Sequence, residues 1–176
     1  MAEEGIFSGA VELTHKINEG LLKRLQALET ARTVKVGVIN SLAEKPEGGH
    51  ISMAALAQVH EFGTTRAGKG NSTVIPERSF IRATGRIHRK EILKFQKELL
   101  NRYVEDKITI DKALKALGED IVRKIKAYIM AGISPPWAQS TINERLSRKS
   151  AKKIIAIRPL VDTGQLYRSI RYQVEE

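Results

Sequence analysis

Ile110-Asp111-Lys112-Ala113-Leu114-Lys115-Ala116-Leu117-Gly118-Glu119-Asp120-Ile121-Val122-Arg123-Lys124-Ile125-Lys126-Ala127-Tyr128-Ile129-Met130-Ala131 is the stretch on which the fold reading turns. Ile110, Leu114, Leu117, Ile121, Ile125 and Tyr128 recur at steps of three or four residues, one stripe of a 3.6-residue period. Thr109 or Asp111 is placed to cap the start. Gly132 stands just past the end, and Pro135-Pro136 prevents continuation. A long helix with one apolar stripe must bury that stripe, so the pattern predicts a core helix packed on a sheet.

Working outward, the sheet has candidates on both sides of this helix. Thr33-Val34-Lys35-Val36-Gly37-Val38-Ile39 is rich in β-branched residues and alternates at first, as a strand does. Ser169 to Val174 alternates too, with Ile170, Tyr172 and Val174 on one side, and reads as a closing strand. Residues 8–29 read as an amphipathic helix on Leu13, Ile17, Leu21, Leu25 and Leu28, with Ser8 as its cap. Ser52 caps a short helix that ends at Gly63, and residues 44–50 before it form a polar loop. Residues 64–73 are small, polar and glycine-bearing and read as a flexible loop. A helix over about residues 80–105 follows, some 39 Å long, with Ile81, Ile92, Phe95, Leu99 and Tyr103 as its stripe. Ser140 or Thr141 caps a short helix through Arg148, and a helical turn at 165–169 precedes the last strand. The fold class is therefore α+β: a small antiparallel β-sheet packed with long α-helices, plus an extended loop and a C-terminal arm over residues 133–160.

The length of 176 residues fits a single domain spanning 1–176, with about 70% of the extended surface buried. No run of 18 apolar residues is present, so no membrane span is expected. The acidic start, Met1-Ala2-Glu3-Glu4-Gly5, lacks the layout of a signal peptide, and the chain has no Cys. A protein made and kept in a cytoplasm is expected. The net charge of +10 is the strongest compositional signal and points to nucleic acid, an acidic protein or an anionic membrane. The charge is concentrated. Residues 78–103 hold eight basic and two acidic residues, and residues 140–171 hold the same numbers. Arg82, Arg86, Arg89, Lys90, Lys149, Lys152 and Lys153 are the candidates to face DNA or an acidic partner. Against base reading, Asn and Gln are sparse there and the polar side lacks stacking aromatics.

His15, His50, His60 and His88 lie far apart, with no metal-ligand spacing. His60-Glu61 at a helix end reads as structural. Gly68-Lys69-Gly70 lacks the spacing of a phosphate loop. Asp162-Thr163-Gly164 has the lettering of an aspartic-protease loop, but that chemistry needs a second such loop facing it. Asp162 reads instead as a turn or cap residue. A hydrolase acting through Asp162 stays as the least favoured reading. No cofactor and no enzymatic activity are expected.

Three blocks, taken in order, resemble a known family. They are Leu56-Ala57-Gln58-Val59-His60-Glu61-Phe62-Gly63-Thr64, Ile75-Pro76-Glu77-Arg78-Ser79-Phe80-Ile81-Arg82, and Pro159-Leu160-Val161-Asp162-Thr163-Gly164-Gln165-Leu166-Tyr167-Arg168-Ser169-Ile170. Their order and spacing resemble the tail-completion, or virion-morphogenesis, proteins of tailed bacteriophages, over about residues 50–175. Pro135-Pro136 upstream of the last block looks like that family too. Ser79, where the family often has proline or a small residue, and Trp137-Ala138-Gln139 depart from its pattern. The resemblance implies a structural virion protein of the phage neck that completes the tail and joins it to the head connector. It implies a homo-oligomeric ring, often sixfold, beside the connector and the tail terminator or tail-tube and sheath proteins, with the genomic DNA in its lumen. Phe62, Arg78, Phe80, Trp137, Ile154, Ile155, Ile157, Leu166 and Tyr167 are the expected subunit contacts. The location expected is the virion neck or tail, after assembly in the host cytoplasm. The alternative from another class is a basic nucleic-acid-binding module without enzymatic activity.

Overall fold

The computed structural model describes residues 19–28, 32–39, 51–68, 70–147, 159–161 and 163–175. The elements run α1 (residues 19–28), β1 (Thr33–Val38), α2 (Met53–Phe62), β2 (Thr64–Ala67), β3 (Thr73–Ile75), α3 (Ile81–Ile87), α4 (Arg89–Val104), α5 (Ile110–Ala131), α6 (Gln139–Leu146), α7 (Gln165–Ser169) and β4 (Ile170–Glu175). The α+β class is as read. Two separate antiparallel ribbons, β1–β4 and β2–β3, stand where one small sheet was expected.

The centre is α5 laid on the β1–β4 ribbon. The Thr109 hydroxyl accepts from the Lys112 amide at 3.3 Å and fixes the start of α5. Gly132, at φ 96°, takes the positive-φ conformation at its end. The ribbon pairs Thr33 with Glu175 and Val38 with Ile170, joining strands from the two ends of the chain. Gly118 is what brings helix and ribbon together. A Cβ there would lie 2.6 Å from the Tyr172 ring. Below this contact Phe80, Ile125, Ile129, Val161 and Ile170 form the most deeply buried part of the core, with Met53, Ala57, Ile133, Leu160 and Leu166 around them.

The stripe read on α5 in sequence faces the core in part. Ile125 is buried, and Ile121 and Tyr128 pack against the core, but Ala113, Gly118, Asp120 and Ile129 are the other fully buried positions. Leu114 and Leu117 instead help line an apolar groove of about 210 Å³ shared with α1 and α4. Buried Asp120 is neutralised locally, with both carboxylate oxygens within 2.9 Å of Lys124 Nζ and a further bond from Arg123. α1 is tied to the end of α4 through Arg24, which donates to the Val104 carbonyl at 3.2 Å and pairs with Asp106.

Three other expectations change. Residues 64–73 are not simply a loop: β2 and β3 form a hairpin, pairing Thr64 with Ile75 and Ala67 with Thr73. Its turn uses positive φ at Gly68, Gly70 and Asn71. The single helix over 80–105 is two. His88, at φ −96° and ψ 13°, separates α3 from α4. The short helix after the prolines starts at Gln139 behind Ala138 and has no side-chain cap, so Ser140 and Thr141 sit inside its first turn. The first part of the helix read at 8–29, the loop at 44–50, most of the basic end of the arm, and Asp162 lie outside the described residues. α7 starts from Gly164, at φ 73°.

Candidate functional site

α3 has one local cap bond, from the Ala83 amide to the Ser79 hydroxyl at 3.2 Å. Its N-cap position is Phe80, whose side chain cannot accept a hydrogen bond. Helix starts leave N–H groups unsatisfied, and buried ones need an acceptor. That acceptor comes from 19 residues upstream. The Glu61 carboxylate, at the end of α2, accepts from the amides of Phe80 (2.8 Å), Ile81 (3.0 Å) and Arg82 (2.9 Å). It also accepts from the Ser79 hydroxyl at 2.7 Å and Arg82 Nε at 3.1 Å. Glu61 is only 5% exposed. Burial pushes its pKa up, but the N–H groups of α3 and the Ser79 hydroxyl outweigh this and hold it below the usual carboxylate value. A negative charge at a helix N-terminus is also favoured by the helix dipole.

The same few residues lock three more segments. Gly63, at φ 73°, turns the chain out of α2, and a Cβ there would meet the Glu77 backbone nitrogen at 2.8 Å. The Arg78 amide then donates to the His60 carbonyl at 2.8 Å. Arg78 itself is buried; its Nε donates to the Pro135 carbonyl (2.7 Å) and its Nη2 to the Pro136 carbonyl (3.0 Å). The planar guanidinium fork suits two adjacent carbonyls. Beyond the prolines, the Arg145 guanidinium lies 4.2 Å over the Trp137 ring. Arg82 spans the outer side, donating to the Glu61 carbonyl and to Glu77 at 2.8 and 2.9 Å, with its guanidinium 4.3 Å over Phe62.

His60 sits inside this knot. Its Nδ1 is buried with no hydrogen-bond partner among the described residues. Burial, then the charges of Arg78 and Arg145, push its pKa down to about 4. A neutral imidazole beside cations, without a carboxylate to orient it, is a poor general base. Glu61 is equally ill placed for proton transfer, because five donors already occupy it. Among the described residues no three His, Cys, Asp or Glu side chains group as a metal site would require. The chemistry of this knot is positional: one carboxylate and two guanidiniums fix α2, the β2–β3 hairpin, α3 and the proline segment against one another.

The residues read from sequence therefore divide. Phe80 at 0% and Leu166 at 5% exposure are core, and Arg78 is spent within the chain, so none of the three is a surface contact as expected. Phe62 is 59% exposed and lies beside exposed Val74 at a shallow groove next to the hairpin. Trp137 and Tyr167 are half-buried, Tyr167 with Lys126 Nζ 5.3 Å from its ring. Arg82 holds Glu61 and Glu77, whereas Arg86, Arg89 and Lys90 are exposed. Lys149, Lys152, Lys153, Ile154, Ile155 and Ile157 lie outside the described residues. Sequence reasoning missed the pairing of Glu61 with the start of α3 and the role of the proline carbonyls. One signal was present: Ser79-Phe80 offers α3 a weak local start, so a remote acceptor was needed. Set against protein-family models, curated proteins and solved structures, the chain gives no match.

Proposed function

We propose that this chain is a non-catalytic structural subunit of the neck of a tailed bacteriophage, completing the tail and joining it to the head-side connector. The observation that carries the reading is convergence. The His-Glu-Phe-Gly turn, the Ile-Pro-Glu-Arg-Ser-Phe segment and Pro135-Pro136, far apart in sequence, meet in the knot around Glu61 and Arg78. The third block contributes Leu160, Val161, Leu166 and Ile170 to the core beneath it. These are the residues on which the resemblance to tail-completion proteins rests, and their joint task in the fold is to hold a rigid body.

A subunit of this length has a radius of gyration of about 16 Å and cannot enclose a DNA-wide channel alone. The reading therefore includes a ring, sixfold in keeping with the tail, built by head-to-tail contacts. Exposed Phe62 and Val74, beside a two-stranded ribbon with no further strand on its edges among the described residues, support a contact with the next subunit there. The ring's neighbours are the connector on one side and the tail terminator or tail-tube and sheath proteins on the other. The chain resides in the virion after assembly in the host cytoplasm.

The test is made on particles. Disrupting the gene is expected to leave filled heads and tails that fail to join, and imaging of complete particles should place the subunit at the junction. Normal yields of joined, infectious particles from the disrupted strain would overturn the proposal.

A further inference from the structure

α4 and the last turn of α3 carry a row of cations that no ion pair neutralises among the described residues. Arg86, Arg89, Lys90, Lys94 and Lys97 are all exposed. Among the described residues none of them has an acidic partner. Two acids lie along the row: Glu91 bonds His88 at 3.0 Å and approaches Lys124 at 3.8 Å, and Glu98 is exposed beside Lys97. Within α4, Lys90, Lys94 and Lys97 follow at steps of four and three residues and share one face, while Arg86 and Arg89 flank the break at His88. Leu99 and Tyr103, at 5% and 7% exposure, are buried on the opposite side. From Arg89 to Lys97 the row extends about 12 Å along the axis.

We propose that this face docks on the phosphate backbone of duplex DNA without reading its sequence. The partner follows from what the face has and lacks. A membrane-surface helix inserts a separate, continuous apolar side, but here Leu99 and Tyr103 are buried in the core and the exposed apolar residues, Ile87, Leu93 and Leu100, are separated from one another by charged ones. A single strand would need aromatic rings to stack its bases, and the row holds none. A second copy of the chain, itself at +10, would be repelled. A duplex offers a phosphate for about every 1.7 Å of axis, so each cation in a straight row finds one within reach. The choice of DNA over RNA rests on the neck reading above; the phosphate chemistry does not.

The test is fluorescence anisotropy of the full chain with a labelled DNA duplex of roughly 25 base pairs, titrated from about 50 to 200 mM salt. Five neutralised phosphates give a slope of about −4.5 in log K against log salt, hence about a 500-fold loss of affinity across that range. Arg86→Gln/Lys90→Gln/Lys94→Gln should lower the slope by about 2.7 and weaken binding at least about tenfold. Lys23→Gln/Lys112→Gln/Lys115→Gln removes the same charge at exposed sites off this helix pair and should leave most of the binding intact. Equal weakening by both variants would reduce the effect to net charge and overturn the proposal. So would absence of binding at the lowest salt, or tighter binding to an RNA duplex or to phosphatidylserine vesicles than to the DNA. Because the assay needs no particle, its failure would leave the head–tail joining experiment to judge the neck reading separately.

Discussion

At the scale of the residue, Glu61 does what a capping side chain usually does, from another helix. Glu61→Ala would leave three α3 amides and the Ser79 hydroxyl without their acceptor, and a loss of about 3 kcal/mol is expected in urea unfolding. Glu61→Gln should also destabilise, by about 2 kcal/mol, because its amide group would face donors. His60 makes the same knot sensitive to acid. Its folded pKa of about 4 lies below its ordinary 6.5, so between these values the unfolded chain binds a proton that the folded chain does not. Stability is therefore full above pH 6.5 and falls as pH drops toward about 4, by up to about 3 kcal/mol. Glu61, also depressed, adds a loss that begins below its ordinary value of 4.5. Unfolding free energies at several pH values should show this, and His60→Gln should flatten the part above the Glu61 range. Arg78→Lys keeps the charge but not the fork that spans two carbonyls. It should cost about 1–2 kcal/mol and raise hydrogen exchange in the segment after Pro136.

At the scale of the element, α5 and the β1–β4 ribbon depend on one glycine. Alanine at position 118 would gain about 1 kcal/mol of helix propensity. It would also force a Cβ to within 2.6 Å of the Tyr172 ring, and overpacking costs about 1–3 kcal/mol. Net destabilisation is expected in thermal melts, with Tyr172→Val in the same chain restoring part of it. No comparable gain would mean that the ring simply moves aside. Several element bounds were legible because local chemistry sets them: the Ser52 hydroxyl caps α2 and accepts from Ala55 at 3.1 Å, and Gly63 and Gly132 follow the two best-read helices. The break at His88 was not legible, since Gly85 is weak punctuation and the apolar spacing continues across it. The β2–β3 hairpin was missed because its glycine-rich turn dominated the reading over Thr64-Thr65 and Thr73-Val74-Ile75.

At the scale of the whole molecule, the two strands of the main ribbon come from opposite ends of the described chain, and β1 has β4 as its only strand partner among the described residues. Removing residues 170–176 would uncover Val36 and Val38 and take Ile170 from the core. Loss of a cooperative thermal transition is expected, measured by circular dichroism. A truncated chain that still melts sharply would mean that α5 and the helices around it form a core without the ribbon.

The sequence by itself determined the α+β class, the course of α5, the cap at Ser52, a cap for α5 at Thr109 or Asp111, the strand character of residues 33–39 and 169–174, and the density of positive charge. These depend on period, propensity and composition, which act over a few residues. Tertiary structure alone decided that Arg78, Phe80 and Leu166 are interior, that Arg82 is held by Glu61 and Glu77 while Arg86, Arg89 and Lys90 face outward, and that Gly118 meets Tyr172. The physical reason is burial. Whether an arginine is a free surface charge or a saturated internal donor depends on acceptors that the fold brings from distant segments, such as the Pro135 and Pro136 carbonyls, 57 and 58 residues away from Arg78.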